Sequence, residues 1–456
     1  MHKYKMMKNL KRFMMLSCIS LMLCGCSKQL DLAPQNAIPV SSLSVNDIPQ
    51  LRTGMYATME DVLFNFWFDF DKRGENLTGG PGYNVVDPVS MNASDADITS
   101  YWRGAYKGIN TANILIQNVD NLGTTATTAQ LSYKGEALYF RALIYYNLAA
   151  RYGGVPILLK STTDAVQRST EAQVWAQIKS DLVAARSLIG TFSNNLYVSE
   201  QAVKALMARV YLATGDNANA ITYADSLINY SSSKFALSTD SISYSTMFTA
   251  GSASKEIIFA LANNSTANTH SFLSQVNDTK ATWPYSPSTF TYKNLYSDAV
   301  TPLIKTGDKR KAAVFSSDPT RIIKFPNGKA GQQLAVSSNP IATPIIISRL
   351  AEMYLIKAEA QGVSAGAVTL TSYLNNRYKA APSAASVAAL TTSQYQDLIL
   401  NELRREFFAE GHWWYDIKRT GRTDLLTTLN GRTYLLYYPI PQTEKDLAGY
   451  TQNPGY

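Results

Sequence analysis

All three cysteines of this chain, Cys18, Cys24 and Cys26, fall within its first 26 residues. Whatever folds beyond them must hold together without an internal disulfide, on its core alone. The 456-residue chain is 46% apolar, which is ample for one large or two medium domains. No later segment reaches the roughly 18 consecutive apolar residues of a membrane-spanning helix, so the body is expected to be soluble.

The residues around those cysteines explain their position. Lys3, Lys5, Lys8, Lys11 and Arg12 precede an apolar run from Phe13 to Leu23, and Leu23-Cys24-Gly25-Cys26 follows. A basic region, an apolar stretch too short to span a bilayer and a small residue before a cysteine make a lipoprotein signal peptide. Residues 1–25 then form the leader, and Cys26 carries lipid at the mature N-terminus. A short membrane anchor or an ordinary secretory signal is the plainer alternative. Residues 26–46, polar and with Pro34, read as a tether. Removing the leader takes away five positive charges and no negative ones, so the formal net charge falls from +8 to +3. The basicity lies largely in the leader, and nucleic acid is not an indicated partner.

Helical patterning appears at roughly 47–60, 99–120, 128–152, 169–190, 198–231, 347–379 and 393–419. Between the blocks, residues 61–98 and 232–345 are crowded with Gly, Ser, Asn, Asp, Thr and Pro and show no sustained helical period. The helices repeat a spacing suited to tetratricopeptide-like (TPR-like) hairpins. Met207, Ala208, Tyr211, Gly215 and Ala220 supply a large residue, a small one, an aromatic, a turn glycine and a small residue on the second helix. Ala142, Tyr145 and Ala149 repeat part of it, as do Ala351, Tyr354 and Ala358. The pattern also occurs in ordinary buried helices, and the turn signal Gly215-Asp216-Asn217 favours the hairpin.

Signals of catalysis are weak. Gly362-Val363-Ser364-Ala365-Gly366 fits a hydrolase nucleophile elbow, which needs a strand before it; here a helix precedes it, so an interhelical turn is expected. His270 and His412 are the only histidines beyond the leader, too few for a histidine metal site or a Ser-His-Asp triad. Glu402, Glu406 and Glu410, four apart and interleaved with Arg404 and Arg405, read as structural charge pairing on one helix. No metal and no cofactor are expected; Asn92, Asp95 and Asp97 do not match a calcium-loop spacing.

Several of these segments together are similar to one family. Cys26 is followed by Leu30-Asp31 and Pro34, then by Tyr101-Trp102-Arg103 and Ile109-Asn110-Thr111-Ala112-Asn113. Gly135-Glu136-Ala137-Leu138-Tyr139-Phe140-Arg141-Ala142 leads to Tyr152-Gly153-Gly154-Val155-Pro156. Arg349-Leu350-Ala351-Glu352-Met353-Tyr354-Leu355, the run from Glu402 to Trp413, Asp416-Ile417-Lys418-Arg419, Pro439-Ile440-Pro441 and the ending Gln452-Asn453-Pro454-Gly455-Tyr456 complete the set. In this order they resemble the SusD/RagB family of outer-membrane nutrient-uptake lipoproteins. The resemblance implies a mostly α fold with little β: a TPR-like helical hairpin scaffold within 99–231 and 347–419, inside a single domain over 47–456. The irregular excursions 61–98 and 232–345 would carry the binding face. It also implies a non-catalytic protein at the outer membrane, facing the cell exterior. Its partners would be a glycan, or a peptide, and a SusC-like TonB-dependent transporter barrel.

A glycan presents flat, weakly apolar faces and many hydroxyls, so its receptor needs exposed aromatics beside polar side chains, usually on loops. The first excursion offers Trp67, Asp69, Asp71, Arg73, Tyr83 and Asn84; the second offers Trp283, Tyr285, Tyr292 and Tyr296. Phe64, Phe66, Phe68 and Phe70 alternate with other residues, which predicts a strand-like segment with its phenylalanines inward and Trp67 and Asp69 outward. Two other classes stay open. A glycoside hydrolase would use Asp69 or Asp71 with Glu75, if a carboxyl pair lies about 5 to 9.5 Å apart across a cleft. A TPR adaptor for protein ligands would bury Trp67 and Trp283. The leader makes its own prediction: Cys26→Ala moves the protein from the detergent phase to the aqueous phase in a phase-partition assay, while wild type stays with the detergent.

Overall fold

The computed structural model describes residues 43–456 except 82, 84–89, 163, 250–252, 264–269, 278–281, 298–302, 304–306 and 326–342. The leader, Cys26 and Asn84 lie outside the described residues.

Within the unit Ile48–Tyr456, the longer helices are α1 (Ile48–Phe66), α3 (Ala96–Asp120), α4 (Thr128–Tyr152), α5 (Glu171–Leu188), α6 (Glu200–Ala213), α7 (Asn217–Ile228), α8 (Leu350–Arg377), α9 (Thr392–Glu406) and α10 (Trp413–Thr420), with a short α2 (Asp69–Arg73) after α1. Three of them start at the same device. The side chains of Thr127, Thr170 and Thr391 each accept a hydrogen bond from the backbone three residues on, and those of Gln130, Gln173 and Gln394 accept one from the threonine backbone N–H, so each Thr-x-x-Gln closes a capping box. Successive helices then pack in pairs: α3 on α4, α4 on α5, α6 on α7 and α7 on α8. The small residues of the repeated spacing sit at these contacts, with Ala142, Ala149, Ala208, Ala220, Ala351 and Ala358 buried. Gly215 turns between α6 and α7 with φ +75°, in the left-handed region that glycine adopts freely. Tyr211 stacks on Tyr223 across that hairpin, ring centroids 5.6 Å apart. The fold is thus the mostly helical hairpin scaffold expected.

The Gly362 segment is not a nucleophile elbow but the interhelical turn expected: Gly362 takes φ 70° and ψ 177°, a non-helical conformation that divides α8 into two helical arms.

Among the described residues, two small antiparallel sheets complete the fold. β1 (Leu77–Gly79) pairs with β3 (Tyr285–Pro287), and β2 (Ile257–Leu261) pairs with β4 (Ile345–Arg349), which feeds directly into α8. β2 and β4 are buried at every residue, as their Ile-rich sequences require.

The phenylalanine alternation does not produce a strand. Residues 64–66 belong to α1 and 69–73 to α2, and Trp67 and Asp69 are buried with the phenylalanines. A period of two marks a segment with one wet face; this one is enclosed except at Asn65, so helical packing decides. Phe64 stacks on His270, Phe66 meets Tyr101, and Trp67 and Phe68 meet Phe272 and Phe325. The cover comes from the second excursion.

That excursion is fixed by charge as well. Among the described residues, Glu256, Asp308, Glu402, Glu406 and Glu410 face Arg310, Lys324, Arg349, Arg377 and Arg405, five acids against five bases, nearly all fully enclosed. Glu406 is the centre. It accepts from Arg349 Nη1 at 2.6 Å, Arg377 Nε at 2.8 Å, Arg310 Nη1 at 2.9 Å and the Tyr373 hydroxyl at 2.8 Å. The three glutamates of the α9 run are therefore structural, but not as surface pairs on one helix: α9 ends at Glu406, and Glu410 lies beyond it, taking Lys324 and Arg349. Burial pushes the Glu406 carboxyl up, yet Arg377, Arg349 and Arg310 hold it well below the usual range.

Removing one partner from such a cluster leaves buried charge uncompensated, at about 3–5 kcal/mol. Glu406→Gln is expected to lower stability by that order in urea unfolding at pH 7. A carboxyl with depressed pKa stabilises the fold above its unfolded value of about 4.3 and loses that contribution as pH falls. The deficit of the variant should therefore shrink below that pH; a deficit independent of pH would contradict the role.

Candidate functional site

The two excursions that the sequence marks as binding loops are brought together by β1 and β3. Leu77 lies opposite Pro287, Thr78 opposite Ser286 and Gly79 opposite Tyr285. Gly80 N donates to Pro284 O at 2.7 Å and Ser288 N to Asn76 O at 2.9 Å, extending the junction at both ends. Gly80 is needed for this approach: a Cβ there would stand 2.0 Å from Trp283 O.

Most of the predicted site residues lie beneath this junction. Asp69 accepts from Arg151 Nε at 3.0 Å and from the Tyr438 hydroxyl. Asp71 accepts from Asn76 Nδ2 at 2.9 Å, Ala409 N at 2.9 Å and Gly411 N at 2.8 Å, and burial pushes its carboxyl up to about 6. Arg73 is buried between the rings of Trp414 and Tyr438 and donates to Leu435 O. Trp283, on its proline-stiffened segment, is buried too; its Nε1 donates to Thr320 O at 3.1 Å and Arg321 covers its ring. Tyr296 is buried and donates to Arg405 O at 2.9 Å. The expectation that Trp67, Asp69 and Trp283 project to solvent is thus corrected: the two excursions close on one another and bury these side chains, and Asp69 and Trp283 find internal hydrogen-bond partners while Trp67 Nε1 has none among the described residues.

Three predicted residues keep access. Tyr83 is 53% exposed. Tyr285 is half-buried at the edge of β3, its ring 5.3 Å from Lys72 Nζ. Tyr292 is half-buried and donates to Ser316 O at 3.2 Å.

The carboxylates named for hydrolysis are not free for it. Asp69 is ion-paired, Asp71 faces backbone amides, and Glu75 accepts from Thr428 N at 2.8 Å and from the Thr427 and Thr428 hydroxyls. The nearest acids are engaged internally rather than set across a cleft.

Two features escaped sequence reading. Phe290, at the start of the short helix Thr289–Asn294 that follows β3, is 62% exposed. Beside it a pocket of about 610 Å3 opens between that helix and α9, lined by Leu303, Leu390, Asn401, Arg404 and Leu425 among others. Phe290 was within reach, two residues from Tyr292 in the aromatic excursion; the pocket has no local signal, because its walls are a hundred residues apart in sequence.

Comparisons with known proteins agree with this architecture. Residues 28–212 match a family described as "Starch-binding associating with outer membrane", and residues 244–432 match the SusD family. SusD-like protein P2 of Formosa agariphila is 26% identical over 491 residues, covering 93% of this chain and 94% of that protein. SusD-like protein P38 of the same organism is 25% identical over 426 residues, 81% of this chain and 82% of that one. Among solved structures, a SusD superfamily protein of Bacteroides thetaiotaomicron aligns with a TM-score of 0.72 at 24% identity, over 90% of this chain and 100% of that chain. A laminarin-binding SusD-like protein aligns with a TM-score of 0.67 at 20% identity, over 89% and 99%. These structural likenesses establish the fold.

Gly80→Ala should part the junction. The expected outcome is a lowered melting temperature and a Trp283 newly accessible to acrylamide quenching; unchanged quenching would show that the strands close without the glycine.

Proposed function

The chain belongs to the SusD family, and on that premise we propose that it is a cell-surface lipoprotein, anchored through Cys26, that captures an oligosaccharide and passes it to a SusC-like TonB-dependent transporter barrel without breaking a bond. The observation that carries the reading is the junction of β1 and β3, which turns two distant aromatic excursions into one surface on a rigid helical scaffold. The outer-membrane association described for the matching family and the laminarin binding stated for one structural relative support it. The internal engagement of Asp69, Asp71 and Glu75 supports binding rather than hydrolysis.

Within this reading Tyr83, Tyr285 and Tyr292, with Phe290, are the contact aromatics, and Asn84 remains a polar contact on its chemistry. Trp67, Asp69, Asp71, Arg73, Trp283 and Tyr296 serve as the floor that holds them. Exposed rings stack on sugar faces at little entropic cost, because an aromatic side chain has few rotamers to lose. Burial of Trp67 and Trp283 favours a second reading, an adaptor that takes a peptide or protein ligand.

Gel retardation of residues 27–456 by a panel of soluble polysaccharides separates the two. Glycan capture predicts retardation by one class, weakened several-fold in Tyr285→Ala or Tyr83→Ala, with no reducing ends released. Absence of retardation by every glycan would overturn it in favour of the adaptor.

A further inference from the structure

The pocket beside Phe290 has a chemistry of its own. Three arginines line it: Arg404, Arg405 and Arg422. Arg405 pairs with Glu402, and Arg422 with Asp397 and Asp424. Arg404 has no carboxylate within ion-pair distance among the described residues. Its Nε donates to Asn76 Oδ1 at 2.7 Å, and its Nη2 reaches only Thr291 Oγ1 at 3.5 Å. The guanidinium carbon sits 4.8 Å from the Trp413 ring centroid and 5.7 Å from the Phe290 ring centroid. Asp71 and Glu75 act on it only at a distance, and burial pulls it down to about 10. A half-buried guanidinium with its outer nitrogens nearly unengaged is half of a bidentate pair with a carboxylate.

The rest of the pocket suits the remainder of such a ligand. Its volume of about 610 Å3 lies in the range of roughly 300–1,000 Å3 typical of small-molecule sites. Phe290 offers an exposed flat face at the mouth, leucines form the walls, and the Asn401 amide adds both a donor and an acceptor for hydroxyls. A flat ring, a hydroxyl partner and a cation in one pocket match a sugar that carries a carboxylate. A fatty acid would use the leucines and the cation but leave the amide idle.

We infer that this pocket binds a hexuronate unit of an acidic glycan, its carboxylate on Arg404 and its sugar face on Phe290, an inference that rests on the glycan-capture reading. The acidic unit would be read by charge in the pocket, while neutral units lie on the tyrosines of the junction.

Calorimetric titration of the lipid-free protein with oligogalacturonate, with its methyl ester, with a neutral glucan and with an acetylated aspartyl peptide tests this. Oligogalacturonate should bind at least tenfold more tightly than its methyl ester, which keeps the shape and removes the charge; this comparison needs no variant. Arg404→Gln should reduce the acid to the level of the ester, Arg404→Lys should keep part of the preference, and Phe290→Ala should weaken acid and ester alike. Equal binding of acid and ester, tighter binding of the aspartyl peptide, or an unchanged preference in an Arg404→Gln protein that melts like wild type would overturn it. Binding of the neutral glucan with none of the uronate would overturn this inference and leave glycan capture standing. Binding of no glycan would remove both.

Discussion

The buried ionic cluster around Glu406 is the interaction on which the rest depends. A carboxylate removed from water costs several kcal/mol, and the cost is recovered only when geometry and hydrogen bonding are complete. Here Arg310, Arg349 and Arg377 converge on one carboxylate together with the Tyr373 hydroxyl. Each brings its own element: Arg349 closes β4, Arg377 ends α8, and Arg310 comes from the irregular second excursion. With no cysteine after Cys26, this charge balance takes the place of a staple. It is a directional one, since a shifted residue leaves a charge stranded.

The same economy governs the two excursions. Phe272, Tyr285 and Phe325 cover α1 and α2, while Asn76 and Gly80 hold the far strand in place. Loop and scaffold are not separate layers: the aromatics that look like a binding surface in sequence are the mortar between two loops. What remains outside is sparse: Tyr83 and Phe290 are exposed, and Tyr285 and Tyr292 half-buried.

Much of this was legible in the residues. The Ala-x-x-Tyr-x-x-x-Ala spacing and the Gly215 turn act within a few positions, so pattern alone places α4, α6 and α7. The candidate site was legible only in part. Trp67, Asp69, Asp71 and Trp283 have the chemistry of a sugar site, but their burial is decided by Phe272, Phe325, Arg151 and Thr320, which sequence cannot bring near them. Glu410 shows the same limit. Its spacing from Glu406 suggests one helix, yet α9 ends at Glu406, Ala409 takes φ 60°, and Glu410 turns toward Lys324.

The order of the cluster along the chain carries a consequence for how the molecule comes into being. Arg310, Lys324, Arg349 and Arg377 all precede Glu402, Glu406 and Glu410. A chain made from its N-terminus therefore presents four cations before three of the five acids that neutralise them. A chain that stops short of Glu402 would leave those four cations facing only Glu256 and Asp308, so the centre is complete only when the C-terminal 55 residues are present.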